Sequence, residues 1–183
     1  NNNQALKTTA LLAADLPAMN ETQSGDQQAT QPADTAASAT DATPAQSCTG
    51  PGEAKCHIEL PTGINMAYWE SGPKDGPVII FLHGLTDTAR SWAATMAWLN
   101  HNFPKYHLIA LDQRGHGETP MPSGATCPAA PKNCYAPLHF AADLRAFMNA
   151  KGIEKATLAG HSMGSMIAQE AALDFPQKVE RII

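Results

Sequence analysis

The chain has 183 residues, enough for one domain with a sizeable core, and a formal net charge of −5. Most of that charge lies in residues 1–50, which contain one basic residue, five acidic residues and no Phe, Trp or Tyr. This balance excludes the basic surface of a nucleic-acid-binding or anionic-membrane-binding protein. No apolar run reaches the ~18–20 residues that a transmembrane helix needs.

Residues 1–50 are predicted to be a disordered leader or linker. From about residue 21 to residue 47 they consist almost wholly of Gln, Ala, Thr, Ser, Asp and Pro. Such a composition buries too little apolar surface to offset the entropy lost on ordering. The stretch "TTALLAADL" resembles the apolar region of a signal peptide, but Asp15 interrupts it, so an ordinary flexible N-terminus is the simpler interpretation.

Four cysteines lie in two close pairs, Cys48 with Cys56 and Cys127 with Cys134, in loops rich in Pro and Gly. Neither pair has the C-x-x-C spacing of a zinc or thioredoxin-like site. Four cysteines allow three pairings, and we predict local disulfides within each pair. Disulfides favour an oxidising compartment, so we expect a periplasmic or secreted protein. Four reduced thiols in a cytoplasmic protein are the alternative.

After residue 50, strand and helix patterns alternate. "CHIEL" and "INMAYWESG" predict two antiparallel strands separated by a turn, and "VIIFL" predicts a strand buried on both faces. Asp87 or Thr88 can then cap a helix. "LIAL" predicts another buried strand. Pro137 is typical of the first turn of a helix, and Gly152 of a helix end, so a second helix is predicted between them. The series ends with a strand at "KATLAG", a helix from Ser162 to about Phe175, and the start of a further strand at "KVERII".

This order predicts an α/β fold, with a mostly parallel sheet and helices on both faces. Parallel strands align their carboxyl ends, so the loops 83–85, 112–117 and 160–164 are expected to meet at one edge. Ligands of open α/β sheets bind outside that edge. The candidate site is therefore placed there.

Gly160-His161-Ser162-Met163-Gly164 matches G-x-S-x-G, a motif in which a serine lies at a tight strand-to-helix turn. Glycines two residues before and after relieve the crowding, and the serine hydroxyl projects from the apex. A helix N-terminus also stabilises developing negative charge. Ser162 is the candidate nucleophile. A helix-capping serine with no catalytic role is the alternative.

His83-Gly84 follows the buried strand at the same edge. Gly84 allows the backbone to approach a substrate, and the N–H groups of Leu85 and Met163 are the candidate donors to an oxyanion. We predict structural roles for three histidines: His83 within the turn, His116 as a brace of its loop, and His161 packed away from Ser162. Asp112 and Arg114 are expected to anchor the loop that contains His116.

Residues 57–183 resemble the first half of an α/β-hydrolase, in the esterase, lactonase and cofactor-free haloperoxidase branch. The matching segments are "FLHGLTDTARSW", "LDQRGHGET" and "LAGHSMGSMIA". The resemblance implies that Ser162 is the nucleophile and that Leu85 and Met163 form the oxyanion hole, with residues 51–183 as part of the domain. Epoxide hydrolases and dehalogenases of this fold have Asp at the elbow, so Ser162 argues against those activities.

In this family an acid and then a histidine follow the serine on later loops, and no histidine follows Ser162 here. We therefore expect the triad acid and base, and a substrate lid, to lie outside this sequence, and the chain alone to be inactive. The predicted function is hydrolysis of carboxylic esters, lactones or similar acyl bonds in a small-molecule substrate. A ligand-binding relative or a pseudoenzyme fragment are the alternatives. No metal or cofactor is predicted, and the sequence does not indicate the oligomeric state.

Overall fold

The computed structural model describes residues 46–49, 54–122, 130 and 132–183, with the backbone alone for 46–49 and residue 54. These residues form seven strands, four α-helices and two short 3-10 helices. The strands are β1 (Gln46–Thr49), β2 (Ala54–Glu59), β3 (Asn65–Ser71), β4 (Val78–Leu82), β5 (His107–Leu111), β6 (Ala156–Gly160) and β7 (Val179–Ile182). The α-helices are α1 (Ala93–Asn102), α2 (Lys132–Tyr135), α3 (Pro137–Ala150) and α4 (Met163–Asp174), and the 3-10 helices are Ala89–Trp92 and Pro176–Lys178.

The strands form one mixed sheet in the order β1-β2-β3-β5-β4-β6-β7. β4 lies between β5 and β6 and is parallel to both, and β7 extends this half parallel to β6. β1, β2 and β3 are antiparallel, and β3 joins β5 antiparallel. The predicted α/β architecture is confirmed, and the carboxyl ends of β4, β5 and β6 lie at one edge.

Helices cover both faces of the sheet because neighbouring residues of each central strand point to opposite faces. In β4, Ile80 and Leu82 pack into the larger core, which α3 and α4 complete. Phe81 packs into the second core with Met96 of α1 and with Ala89. The continuous apolar run "VIIFL" is thus buried from both sides.

The helix ends follow from local residues. Thr88, one of the two predicted caps, accepts a hydrogen bond from the N–H of Arg90 at 3.3 Å, and the helix starts with a 3-10 turn before α1. Pro137 occupies the first turn of α3, and the chain leaves that helix through Gly152 at φ +66°.

Two elements were not predicted. Gln46–Thr49, at the end of the segment predicted to be a disordered leader, forms β1 and pairs with β2. The rest of that leader lies outside the described residues. The short helix α2 lies in the cysteine-containing loop that was expected to be irregular. Both elements are four residues long, too short for a periodicity to show.

A buried charged cluster lies at the opposite end of β5 from the carboxyl edge. Glu70 accepts hydrogen bonds from His107 Nε2 at 2.7 Å and from Lys151 Nζ at 3.2 Å, and Lys151 also donates to Tyr68 Oη at 3.1 Å. Burial raises the pKa of Glu70, but the hydrogen bonds and charges of His107 and Lys151 outweigh it and lower that pKa to about 2. Burial, with the Glu70 charge, raises the pKa of Tyr68.

Cys56 and Cys134 are both disulfide-bonded. Cys48 and Cys56 are directly opposed in the antiparallel β1–β2 pair. Cys127 and the Cys48 side chain lie outside the described residues, so the two local pairings stay predictions. In the described part of the chain, no helix has the length and apolar character to span a bilayer.

Glu70→Gln is expected to lose stability at neutral pH and to converge with the wild type in acid. A depressed pKa contributes stability that is present above the unfolded value near 4.5 and is lost as the pH falls towards 2. At pH 7 the free energy of unfolding of Glu70→Gln should be lower than that of the wild type by on the order of 3 kcal/mol. Urea unfolding from pH 7 to pH 2 measures it, with Glu59→Gln, exposed on β2, as the control. Parallel curves for wild type and Glu70→Gln would contradict the assignment.

Peptide mapping of non-reduced protein from an oxidising compartment is expected to yield Cys48–Cys56 and Cys127–Cys134 cross-links. Each bridge closes a short loop, so its contribution should lie at the low end of the usual ~2–4 kcal/mol. The same digest after reduction is the control. A cross-link between the two pairs would show that the predicted pairing is wrong.

Candidate active site at the carboxyl edge of the sheet

The three loops predicted to meet at the carboxyl edge are in contact. The backbone N–H of Gln113, after β5, donates to His83 Nε2, after β4, at 3.0 Å. His116 Nε2 lies 2.6 Å from Leu85 O. The N–H of His161, after β6, donates to Leu82 O at 3.0 Å. Each loop is thus bonded to the end of β4 or to the turn that follows it.

Ser162 occupies the apex of the turn between β6 and α4. Its backbone has φ 53° and ψ −117°, and among the described residues it is the one non-glycine with a positive φ. A conformation of this kind costs on the order of 1–3 kcal/mol. The side chain is exposed. The strained turn therefore presents a hydroxyl to the edge where the three loops meet.

Glycine is required on both sides of this serine because α4 lies unusually close to the sheet. A Cβ on Gly160 would lie 2.5 Å from Gly164 O. A Cβ on Gly164 would overlap the carbonyl of Leu82 in β4. Real Cβ atoms do not approach backbone so closely, and both neighbours are backbone groups that cannot move aside.

The Leu85 N–H is aimed by the carbonyl on the other side of its peptide bond. Gly84 O accepts from His83 Nδ1 at 2.7 Å and from the Asp87 N–H at 3.1 Å, so it faces the protein. In a trans peptide the N–H points opposite to the C=O, so the Leu85 N–H faces away from those donors. A Cβ on Gly84 would lie 3.4 Å from Ser162 Cβ, which places this peptide beside the serine.

Met163 is the first residue of α4, and its N–H has no acceptor within the helix. The Gly164 and Ser165 N–H groups bond back to His161 O and Ser162 O, both at 2.9 Å. In the described part of the chain, neither Met163 nor Leu85 donates its N–H to a protein acceptor. Two candidate oxyanion donors thus lie next to Ser162, one of them at the positive end of a helix dipole.

His83 is fully buried, and both of its ring nitrogens bond to backbone. Because Gln113 N donates to Nε2, the proton lies on Nδ1, which donates to Gly84 O. Burial lowers the pKa of His83, against the effect of its hydrogen bond to Gly84. A neutral ring with both nitrogens engaged aligns the turn and is not free to accept a proton from Ser162.

His116 contacts the backbone of two loops, whereas His161 is exposed at the turn. His116 braces two loops, with Nδ1 2.8 Å from Arg114 O and Nε2 2.6 Å from Leu85 O. The packing role expected of His161 is wrong: its side chain is exposed, and its ring lies beside Gly84, where a Cβ would be 3.1 Å from Nδ1. Strand alternation does not apply there, because β6 ends at Gly160.

The loop after β5 is held by its charged residues. Asp112 accepts from the N–H of Ala89 at 2.7 Å and from the N–H of Glu118 at 3.0 Å. Arg114 donates to both oxygens of Asp143 in α3, from Nε at 2.6 Å and from Nη2 at 2.8 Å. The Arg114–Asp143 pair is buried, and such a bidentate contact fixes orientation as well as position.

Two residues of this network were missed in the sequence. Gln113 holds His83 through its backbone and also donates from its side-chain amide to His83 O at 3.1 Å. Asp143 holds Arg114. Asp143 could have been found, since it lies three residues after Phe140 and next to Leu144 on the buried face of α3, where a carboxylate needs a cation. Gln113 carries no comparable signal.

Among the described residues, no side chain is hydrogen-bonded to the Ser162 hydroxyl. All seven histidines of the sequence are described, and none hydrogen-bonds to Ser162 Oγ. Within the same part of the chain, no group of three His, Cys, Asp or Glu side chains is arranged to hold a metal ion. The site therefore consists of an exposed hydroxyl and two backbone donors.

The chain is similar in sequence to known proteins. Residues 77–183 match the family described as alpha/beta hydrolase fold. Epoxide hydrolase 3 of Siraitia grosvenorii is 34% identical over 128 residues, covering 69% of this chain and 37% of that protein. Epoxide hydrolase 2 of Caenorhabditis elegans is 29% identical over 120 residues, covering 66% and 31%. The chain thus spans about a third of the length of these relatives.

Solved structures that resemble the chain also include epoxide hydrolases. An epoxide hydrolase from Vigna radiata is 25% identical with a TM-score of 0.58, covering 76% of this chain and 39% of that one. Epoxide Hydrolase A from Mycobacterium thermoresistibile is 26% identical with a TM-score of 0.58, covering 76% and 38%.

Gly164→Ala is expected to abolish soluble expression or to lower stability by several kcal/mol, because the new methyl group would overlap the Leu82 carbonyl. Gln169→Ala, at an exposed position of the same helix, is the control and should behave as wild type. Thermal unfolding of both variants measures the difference. A Gly164→Ala protein as stable as the control would mean that α4 lies farther from β4.

Proposed function

Since the chain belongs to the α/β-hydrolase fold family, we propose that it is the nucleophile-bearing part of a serine hydrolase acting on carboxylic esters, lactones or similar acyl bonds of small molecules. The observation that carries the proposal is Ser162, exposed at the apex of a strained turn beside two backbone N–H groups without protein acceptors. Nucleophile and oxyanion donors are the two requirements of acyl transfer that a turn of this kind provides.

The reaction follows from these positions. Ser162 Oγ loses its proton to a base as it attacks the acyl carbon, and the carbonyl electrons move to oxygen. The resulting oxyanion accepts from the N–H groups of Leu85 and Met163. Collapse of the tetrahedral intermediate expels the alcohol, which takes up a proton, and leaves an acyl ester on Ser162. Water then attacks that ester carbonyl and releases the acid.

The serine favours an acyl substrate over the epoxides that the names of the relatives indicate. Attack of a serine oxygen on an epoxide carbon forms an ether, which has no carbonyl for water to attack. A carboxylate nucleophile would instead form an ester, which water can hydrolyse. With Ser162 as nucleophile, turnover through a covalent intermediate is therefore expected for acyl groups and not for epoxides.

The base and its orienting acid are proposed to lie outside this sequence, because none of its histidines bonds to Ser162. Without a base, a serine hydroxyl is a weak nucleophile at neutral pH. The loss in a comparable triad is about 10⁶-fold. Residues 1–183 alone are accordingly expected to be inactive.

A periplasmic or secreted location is also proposed. What supports it is the disulfide state of Cys56 and Cys134, since disulfides persist in oxidising compartments and are rare in the cytosol.

Ser162→Ala in the complete gene product is expected to abolish hydrolysis of an activated ester, by about 10⁴-fold or more in kcat, and to leave stability nearly unchanged. The hydroxyl is exposed, so its removal eliminates a nucleophile and little packing. A fluorophosphonate should label Ser162 in the wild type and not in the variant. Ser91→Ala, at an exposed position of the 3-10 helix Ala89–Trp92, is the control and should keep its labelling.

The same preparation is assayed with an aryl epoxide. Diol formation that survives in Ser162→Ala, or a variant that retains a tenth of the esterase activity, would refute the proposed nucleophile. The isolated 183-residue chain serves as a further arm, in which turnover should be no faster than in its own Ser162→Ala form.

A further inference from the structure

Two histidines hold two successive carbonyls of the turn that contains Leu85. His83 donates to Gly84 O, and His116 Nε2 lies 2.6 Å from Leu85 O. The two rings are themselves in contact, with centroids 5.1 Å apart in an edge-to-face arrangement. The first contact sets the peptide that contains the Leu85 N–H, and the second sets the peptide that follows it.

We propose that His116 is a positioning residue for the oxyanion hole: its Nε2–H bond to Leu85 O fixes the peptide that follows Leu85, so that, with Gly84 O held by His83 and the Asp87 N–H, both peptides that flank Leu85 are held beside Ser162. This inference rests on the proposed function. His116 acts on the reaction through the backbone of Leu85 and does not itself exchange a proton with the substrate.

The Leu85 side chain does not fix this turn, because it is 63% exposed. Among the described residues, His116 is the one donor to Leu85 O. Gly84 O, by contrast, is held twice, by His83 and by the Asp87 N–H. The peptide after Leu85 therefore depends on His116 in a way that the peptide before it does not.

The other ring nitrogen of His116 faces a second backbone carbonyl in its own loop. Nδ1 is 2.8 Å from Arg114 O, and Arg114 is held by the buried pair with Asp143. Both contacts of the ring are to carbonyls, which only accept, and a neutral ring carries one N–H. The shorter of the two, to Leu85 O, is the one to which we assign the positioning role.

Two amide substitutions separate the two contacts. In His116→Gln the side-chain NH₂ can reach the place of Nε2 and keep the bond to Leu85 O. In His116→Asn it can reach the place of Nδ1, beside Arg114 O, but not Leu85 O. Both are neutral, polar and of similar size, so a general loss of stability would affect them alike. His116→Ala removes both contacts, and His101→Asn, exposed on α1, is the unrelated control.

Steady-state kinetics on an activated ester with the complete gene product tests the positioning role. His116→Asn and His116→Ala should lose about 10- to 100-fold in kcat with little change in KM, since misplacing an oxyanion donor affects the transition state more than substrate binding. His116→Gln should recover most of that loss. Equal kcat values for the Asn and Gln variants would overturn the inference, as would losses that appear in KM alone.

Hydrogen exchange provides a readout that does not depend on activity. Peptides covering residues 83–88 should exchange faster in His116→Asn than in His116→Gln, which should match wild type and His101→Asn. Equal exchange in the two amide variants would refute the proposed contact. If Ser162→Ala retains turnover, the proposed function fails, and exchange alone then decides whether His116 holds the turn.

Discussion

The close approach of α4 to β4 and β6 is the contact on which the site depends. Gly160 lies against Gly164, and Gly164 lies against the Leu82 carbonyl, so the chain reverses from strand to helix within three residues. In a wider turn Ser162 would no longer project from the apex, and the first N–H of α4 would lie farther from the Ser162 hydroxyl. The same approach brings the helix next to the end of β4, from which the second donor comes.

The remaining contacts of the edge keep this arrangement rigid. His83, Gln113 and Asp112 are buried, and all three bond to backbone atoms of neighbouring loops. Backbone donors suit an oxyanion hole because they are fixed before the reaction begins, so little reorganisation is needed when charge develops. The positive φ of Ser162 is a local cost that the surrounding packing maintains.

Much of this arrangement could be predicted from the sequence because it rests on short-range rules. Continuous apolar runs such as "VIIFL" identified the central strands, Pro137 and Gly152 identified the limits of a helix, and Gly160 and Gly164 identified the turn. The topology then brought three loops together. Contacts that depend on tertiary packing were out of reach: Gln113 carries no pattern that marks it as a partner of His83, and the position of the His161 ring depends on a turn where strand alternation no longer holds. The strand β1 was missed because four polar and small residues pair only when β2 is present.

The exposed side chain of Leu85 has a consequence for how such a site can diversify. The group proposed to act at this position is a backbone N–H, which every residue except proline supplies. The carbonyl that orients the next peptide is equally independent of side-chain identity. Position 85 can therefore change in size or polarity while the hydrogen-bond geometry is kept, and 63% of its present side chain faces solvent at the mouth of the site. If the backbone N–H of Leu85 acts as proposed, the side chain at this position can change under selection without loss of that donor.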